Sequence, residues 1–256
     1  MDARRDGVHA QSCHGRLPGH RRSAAGGELA RPPRRRRAPV TARRNTKEAV
    51  AKAALRLFAE HGYDGVSMRD IAAAVDVKPA SLYKHFSGKQ ALFDAVVERM
   101  DAAYERFAAS LGTPSGEVPQ LAGAYAALPI GAIEDMAEAQ FRYWTQDEEA
   151  VLYRRLLTRE QYRDAAMGAL YRGRFADGPI AYQAALFDGM VQAGAFAPGD
   201  GRLMALEFFA PLMTLMQMHD GCEDDAARAR VASLVRAHVE RFGRAHAPAA
   251  PGGALR

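Results

Sequence analysis

The sequence predicts an all-α protein, and three observations carry that expectation. From residue 45 onward, apolar residues recur every three or four positions rather than every second one. Helical segments open on capping residues and close on glycine, as at Gly62, Gly112 and Gly194. Two short helical segments also follow one another across a turn of a few residues, a recurrent two-helix unit. A chain of 256 residues, 48% hydrophobic and 25% charged, fits one or two globular domains.

Residues 1–44 stand apart. They hold twelve Arg and no Lys against three acidic residues, whereas the rest of the chain carries 23 bases and 27 acids. The net charge of +5 therefore comes from this segment. Rich in Gly, Pro, Ser and His and without apolar periodicity, it cannot bury enough surface to offset chain entropy, so it is expected to be a disordered extension. The run Arg34–Arg37 could meet nucleic-acid phosphates or acidic lipid. The competing reading is a start codon placed too far upstream, since Arg outnumbers Lys 30 to 5, as in GC-rich coding.

Asn45 can cap the first helix, with Glu48 completing a capping box. Val50, Ala54, Leu57, Phe58 and His61 form its buried stripe, and Gly62 stops it. Ser67 opens the second helix with Asp70 at the third position; Met68, Ile71, Ala72 and Val75 are its apolar face. After a break at Asp76–Val77, Pro79 suits the first turn of a third, very short helix ending near Phe86. Ser87-Gly88-Lys89-Gln90 reads as another capping box. It opens a longer helix with the stripe Leu92, Val96, Met100, Ala103, Tyr104, Phe107 and Leu111, ended by Gly112.

Ser67 to Phe86 has the spacing of a helix-turn-helix, whose second helix enters the DNA major groove. Leu82 and Phe86 would pack inward on Ile71, leaving Lys78, Ala80, Ser81, Tyr83 and Lys84 outward. Small residues let backbone approach base edges, lysines neutralise phosphates, and hydroxyls hydrogen-bond them. Lys89 adds a cation at a positive helix end, a second phosphate site. Ser67, Pro79 and His85 complete the candidate DNA-binding set, with His85 read chiefly as a packing residue. Residues 45–90 carry only seven bases against five acids, so affinity needs two such units acting together.

The stretch Ala53-Ala54-Leu55-Arg56-Leu57-Phe58-Ala59-Glu60-His61-Gly62-Tyr63-Asp64-Gly65-Val66-Ser67-Met68-Arg69-Asp70-Ile71-Ala72 resembles the opening of the TetR family of transcriptional regulators. Val77-Lys78-Pro79-Ala80-Ser81-Leu82-Tyr83-Lys84-His85-Phe86, followed by Lys89 and Leu92, resembles that family's recognition helix and exit. The resemblance implies an all-helical homodimer, with a DNA-binding domain at residues 45–90 and a ligand-sensing and dimerisation domain at residues 91–246. Residues 247–256 are expected to be a disordered tail. It further implies a repressor on a palindromic operator, its recognition helices about 34–36 Å apart. A small-molecule effector among the middle helices would shift the fourth helix, residues 89–111, and spoil that spacing. Two positions depart from the family pattern. Asp76 stands where a turn Gly is common, at a cost of about 1 kcal/mol or less because Asp tolerates a left-handed conformation. Lys78 stands where a Ser often caps the recognition helix, losing the cap but gaining a phosphate contact.

Residues 117–246 read as five or six further helices. Ile133, Met136, Ala137, Gln140, Phe141 and Trp144 form one stripe. Thr158-Arg159-Glu160-Gln161 reads as a capping box before Tyr162. Asp177-Gly178-Pro179 and Pro198-Gly199-Asp200 are turns. The helix from Gly201 to His219 is apolar nearly all round and is expected to be buried on more than one side, with Pro211 kinking it. The last helix carries Val231, Leu234, Val235, His238 and Phe242 on one face. These two helices, about 201–219 and 225–243, are the expected homodimer contact. A ligand cavity needs apolar walls and a few polar anchors, for which the candidates are Met136, Gln140, Phe141, Tyr143, Trp144, Tyr162, Phe187, Met213 and Gln217.

No catalytic residue, cofactor or metal is expected: there is no Gly-rich phosphate loop, His-Glu-x-x-His or Cys-x-x-Cys. His219, Asp220, Cys222, Glu223, Asp224 and Asp225 cluster, but between two helices and at no standard ligand spacing. The two cysteines, Cys13 and Cys222, build no disulfide framework, and no apolar run reaches the length of a membrane span. A cytoplasmic protein is expected. The main rival to a DNA-binding regulator is an interaction module whose helix-turn-helix no longer reads DNA; a small-molecule enzyme is third.

Overall fold

The computed structural model describes residues 40–112, 114 and 118–248. Residues 1–39, which hold most of the expected extension, and residues 249–256 lie outside the described residues. Eleven helices are described and no strand. The first four are α1 (Val40–His61), α2 (Met68–Ala74), α3 (Pro79–Leu82) and α4 (Lys89–Ser110). The middle ones are α5 (Val118–Ala126), α6 (Ile130–Gln146), α7 (Glu148–Glu160), α8 (Ala165–Phe175) and α9 (Asp177–Gln192), and the last are α10 (Gly201–Asp220) and α11 (Asp225–Ala245).

The first half follows its local signals closely. Gly62 ends α1 at φ +79° and its N–H returns to Phe58 O at 2.9 Å. Asp76 takes φ +50° in the turn after α2, the left-handed conformation expected of it. Gly112, at φ +63°, follows α4. Three local expectations fail. Helix α1 begins at Val40, so Asn45 is no cap and residues 40–44 are helical rather than part of the extension; nothing between Val40 and Asn45 breaks a helix. His61 is exposed, because the last turn of α1 overhangs the core that Phe58 fills. Ser87 caps nothing: Gly88 is the N-cap of α4 without a side-chain bond, and Gln90 instead accepts from Tyr63 Oη at 3.0 Å and donates to Asp94 at 2.8 Å.

Beyond α4 there are seven described helices where five or six were expected, because Asp147 and Ala176 each separate two helices with almost no loop. Thr158 lies inside α7 rather than at a helix start, its hydroxyl donating to Arg154 O at 2.8 Å. Asp164, Asp200 and Asp224 are the working caps of α8, α10 and α11. Helix α10 runs unbroken through Pro211.

Three apolar clusters hold the helices together. One joins α1–α4 to α7 and α8: Leu55, Phe58, Ile71, Leu82, Leu92 and Phe93 pack with Tyr153, Leu156, Leu157 and Phe175. The expected boundary at residue 90 is therefore not a boundary in the core. A second cluster unites α5, α9, α10 and α11 around Leu121, Phe187, Met204 and Phe242. A third joins α6 to α10 and α11 through Phe141, Leu215, Val231 and Val235.

Candidate nucleic-acid interface

The helix-turn-helix is set by short-range bonds. Ser67 caps α2 reciprocally: its Oγ accepts from Asp70 N at 3.3 Å, while Asp70 Oδ2 accepts from Ser67 N at 2.8 Å and from its hydroxyl at 2.6 Å. These Ser67 hydrogen bonds hold the Asp70 carboxyl below its ordinary range. Val77 N returns to Ala72 O at 3.0 Å across the turn. Helix α3 is a single turn, Pro79 to Leu82, ending earlier than the expected Phe86; the next residues form a turn, with His85 N and Phe86 N both reaching Leu82 O at 2.8 and 2.9 Å. Lys78 is its N-cap without a side-chain bond.

Leu82 and Phe86 are buried, as their spacing requires. The opposite side of α3 presents Lys78, Pro79, Ala80, Tyr83 and Lys84 to solvent, with Tyr83 57% exposed. Ser81 and His85 are half-buried at the edges. Ser67 is exposed, but its hydroxyl proton is committed to Asp70. Lys89 is placed differently from the expectation. Its Nζ donates to Tyr63 O at 2.9 Å and lies 4.4 Å from the Tyr63 ring centroid, so the ammonium is drawn into the fold.

The reading surface rests on a base that the sequence did not announce. Phe58, Tyr63 and Phe93 form an aromatic triad with centroids 5.4–6.1 Å apart. Helix α7 lies directly behind it. Buried Glu160 accepts from Tyr63 N at 3.2 Å, and Arg163 sits 4.1 Å over the Tyr63 ring. At the other end of α7, Glu149 binds Arg99 of α4 at 2.5 Å and Lys52 of α1 at 3.1 Å, while Glu148 pairs with Arg56. Burial pushes the Glu149 carboxyl up, but the hydrogen bonds from Arg99 and Lys52 outweigh it and hold the group below its ordinary value. The only signal for this in the sequence is the acidic pair Glu148-Glu149, which reads as an ordinary helix start.

The nine ligand candidates do not converge. Gln140, Tyr143 and Trp144 do meet, together with residues that were not among the ligand candidates. Tyr143 stacks on Phe107 at 4.4 Å, Trp144 lies 5.4 Å from Tyr104 and 5.0 Å from Phe175, and Tyr104 Oη donates to Gln140 at 3.3 Å. Tyr143 Oη is buried without a hydrogen-bond partner, as is Gln183 Oε1. Burial pushes the hydroxyl of Tyr143 up to about 12, and burial with the neighbouring Tyr182 does the same to Tyr125. Met136 is half-buried on α6, and Met213 packs against the first and third clusters. Phe141 points the other way, into that third cluster. Phe187 belongs to the second cluster, 5.2 Å from Phe242. Gln217 is exposed, and Tyr162 is 88% exposed in the turn after α7, which places both away from the aromatic group. Their failure has one cause: helical spacing identifies a face but not which neighbour that face meets.

Helix α10 is not buried all round. Leu203, Leu206 and Met218 are 59%, 39% and 49% exposed. On α11 the buried line is Val231, Val235, Val239 and Phe242, whereas Leu234 turns outward at 45% exposure. An open apolar groove of about 610 Å³ runs between the two helices past Pro211, Leu215, Leu234 and Ala237. Among the described residues no helix is long and apolar enough to cross a membrane.

A capped helix, a left-handed turn and a one-turn helix with an exposed Tyr-Lys pair define a helix-turn-helix protein with a helical C-terminal region. The family model for bacterial regulatory proteins of the tetR family matches residues 50–96. Over 52 residues the chain is 42% identical to the biofilm operon icaADBC HTH-type negative transcriptional regulator IcaR of Staphylococcus aureus (strain Newman), 20% of this chain and 28% of that protein. Over 94 residues it is 32% identical to the HTH-type transcriptional regulator TcmR of Streptomyces glaucescens, 36% of this chain and 40% of that one. The matches thus span less than half the length of these relatives. Two solved structures share the fold over most of their length. A protein of Mesorhizobium loti MAFF303099 assigned to the TetR-family regulators gives a TM-score of 0.58 at 23% identity, over 82% of this chain and 100% of that one. A TetR-like transcriptional regulator of Rhodococcus sp. RHA1 gives 0.55 at 20%, over 80% and 97%. Residues 50–96 are therefore a helix-turn-helix domain of the TetR family.

Proposed function

We propose that the chain is a homodimeric, effector-responsive transcriptional repressor of the cytoplasm that binds a palindromic DNA operator. The observation that carries this reading is the exposed face of α3. Lys78, Ala80, Tyr83 and Lys84 stand free of internal ion pairs among the described residues, on a helix held from behind by Leu82 and Phe86. Such a face offers phosphate contacts and close approach to base edges. IcaR's description as a negative regulator supports repression. The apolar groove of α10 and α11 supports dimerisation, since an exposed apolar patch rimmed by polar groups marks an interaction site. Pairing two copies there would supply the second recognition helix that a weakly basic domain requires. The aromatic group around Tyr143, whose buried hydroxyl lacks a partner, supports an effector site between α4 and α6.

The test is fluorescence anisotropy of the full chain against DNA flanking its own gene and against a scrambled duplex, at low and physiological salt. Specific binding that weakens steeply with salt is expected. Tyr83→Ala should remove most of the specificity, and Lys84→Ala should weaken all duplexes alike and lower the salt slope by about one. Binding that ignores both substitutions and is equal on the two duplexes would overturn the reading in favour of an interaction module.

A further inference from the structure

A second pocket lies outside the aromatic group and outside the α10–α11 groove. It opens where the ends of α6 and α10 meet the start of α11, encloses about 400 Å³, and is lined by Thr145, Gln146, His219, Asp225, Arg228 and two alanines, Ala229 and Ala232. His219 is its most buried polar residue. The side chain is only 4% exposed, Phe141 holds the ring edge-on at 5.6 Å, and Nε2 has no hydrogen-bond partner. An imidazole nitrogen taken out of water and left unpaired is costly, and such groups mark sites completed by something else.

The charges around it select the sign of a ligand. Helix α6 contributes only the uncharged Thr145 and Gln146. From α7, Arg154 is 7% exposed and grips Asp220 of α10 through two bonds of 2.8 Å, with Arg155 at 3.7 Å from the same carboxylate. Asp220 is thereby spent. On α11, Arg228 reaches Cys222 O at 3.0 Å and Asp225 at 2.8 Å, and the Asp225 side chain is fully exposed. Glu223 and Asp224 are exposed too, Asp224 capping α11. Water screens the three exposed acids and reaches Arg228, whose side chain is 41% exposed, while the sheltered Arg154 is neutralised by Asp220; Arg228 is thus the cation of the pocket lining, its partner Asp225 lying fully in solvent. Arg228 keeps donors free beyond the two it uses, since a guanidinium has five. The two alanines leave room for a short apolar chain.

We propose that this pocket binds a small monocarboxylate between Arg228 and His219, and that a proton from solvent enters the imidazole as the ligand binds. Burial lowers the His219 pKa; Asp220 pulls against it, and Arg228 and Arg154 each add a smaller push in the direction of burial. A bound carboxylate reverses that balance, because the imidazolium then has a partner of opposite charge. The binding requires neither DNA nor an operator.

Butyrate is the probe, with butyramide as its neutral isostere, at constant ionic strength set by chloride. The histidine side-chain carbon–proton NMR spectrum of the full chain is followed at pH 6.5, 7.25 and 8, and His219→Asn assigns the resonance by its loss. The His219 signal should move saturably with butyrate and not with butyramide, and its pKa should rise in the bound form. Affinity should fall towards tenfold per pH unit across this range by proton linkage. Arg228→Gln should weaken binding about tenfold while leaving the thermal midpoint in place, and Ala232→Leu, which fills the pocket, should abolish the shift. No saturable movement, equal movement with butyramide, or affinity independent of pH would each overturn the proposal. If His219→Asn does not fold, the Arg228 and Ala232 variants identify the resonance by which signal ceases to respond.

Discussion

Helices α1–α4 and helices α5–α11 are built from the same kinds of residue, but they are held by bonds of different range. In the first group the decisive contacts lie within a few residues: Ser67 to Asp70, Val77 to Ala72, Phe86 to Leu82. In the second, the decisive contacts cross tens of residues. Arg154 reaches Asp220, 66 positions away, and Arg236 of α11 gathers Glu134, Asp135 and Glu138 of α6 from about a hundred. Helix α7 belongs to both groups, since it completes the core under the recognition helix and also carries Arg154. The helix-turn-helix unit therefore has local geometry but borrowed stability.

The strongest way to break this comparison is Leu156→Ala. Leu156 is fully buried on α7 within the cluster shared with α1–α4. A cavity there should cost about 2–5 kcal/mol. Hydrogen exchange should show lost protection in α1 and α4 as well as in α7; loss confined to α7 would mean the helix-turn-helix stands on its own core.

Arg154→Gln is expected to cost less, below about 3 kcal/mol, because Asp220 keeps 26% side-chain exposure and water can reach the abandoned carboxylate. The same pair sets an acid response. Burial raises the Asp220 carboxyl, but hydrogen bonds from Arg154 outweigh it and hold the group below its ordinary 3.8. Glu149 is likewise held below 4.5. For such groups stability is present above the unfolded values and is lost as pH falls through the lower folded ones. Thermal midpoints should therefore drop as pH is taken below about 4.5, and the drop should be shallower in Arg154→Gln.

Ser67→Ala should cost about 1 kcal/mol by urea denaturation, the value of one helix cap. The smallest effect is a gain. Asp76→Gly removes a side chain from a residue at φ +50° and should stabilise by no more than about 1 kcal/mol, unless the added freedom of glycine in the unfolded chain cancels it. Were these two local changes to exceed the Leu156 effect, the claim of borrowed stability would fail.

Legibility in the sequence follows the same division. Ser67, Asp76, Pro79, Leu82 and Phe86 could be placed because caps, left-handed turns and i, i+4 packing are decided by neighbours in sequence. The ligand candidates scattered for the complementary reason. Phe141 and Trp144 sit three residues apart on α6, yet one faces His219 and the other Phe175, and no periodicity distinguishes those partners. Thr158-Arg159-Glu160-Gln161 looked like a cap because its residue types suit one, yet tertiary packing continued α7 through it and turned Glu160 onto Tyr63.

By itself, then, the sequence determined the helical class, the helix-turn-helix with its outward Tyr83 and Lys84, and the two long helices at the end, because propensity, capping and apolar spacing act over one or two helical turns. Only the tertiary structure decided that α7 buttresses the helix-turn-helix, that Lys89 turns inward to Tyr63, that Leu234 faces out while Val235 faces in, and that His219 is left unpaired beside Arg228. Those outcomes depend on which helices come to lie against each other. That choice is made by the summed burial of many apolar side chains, a quantity no local stretch of sequence contains.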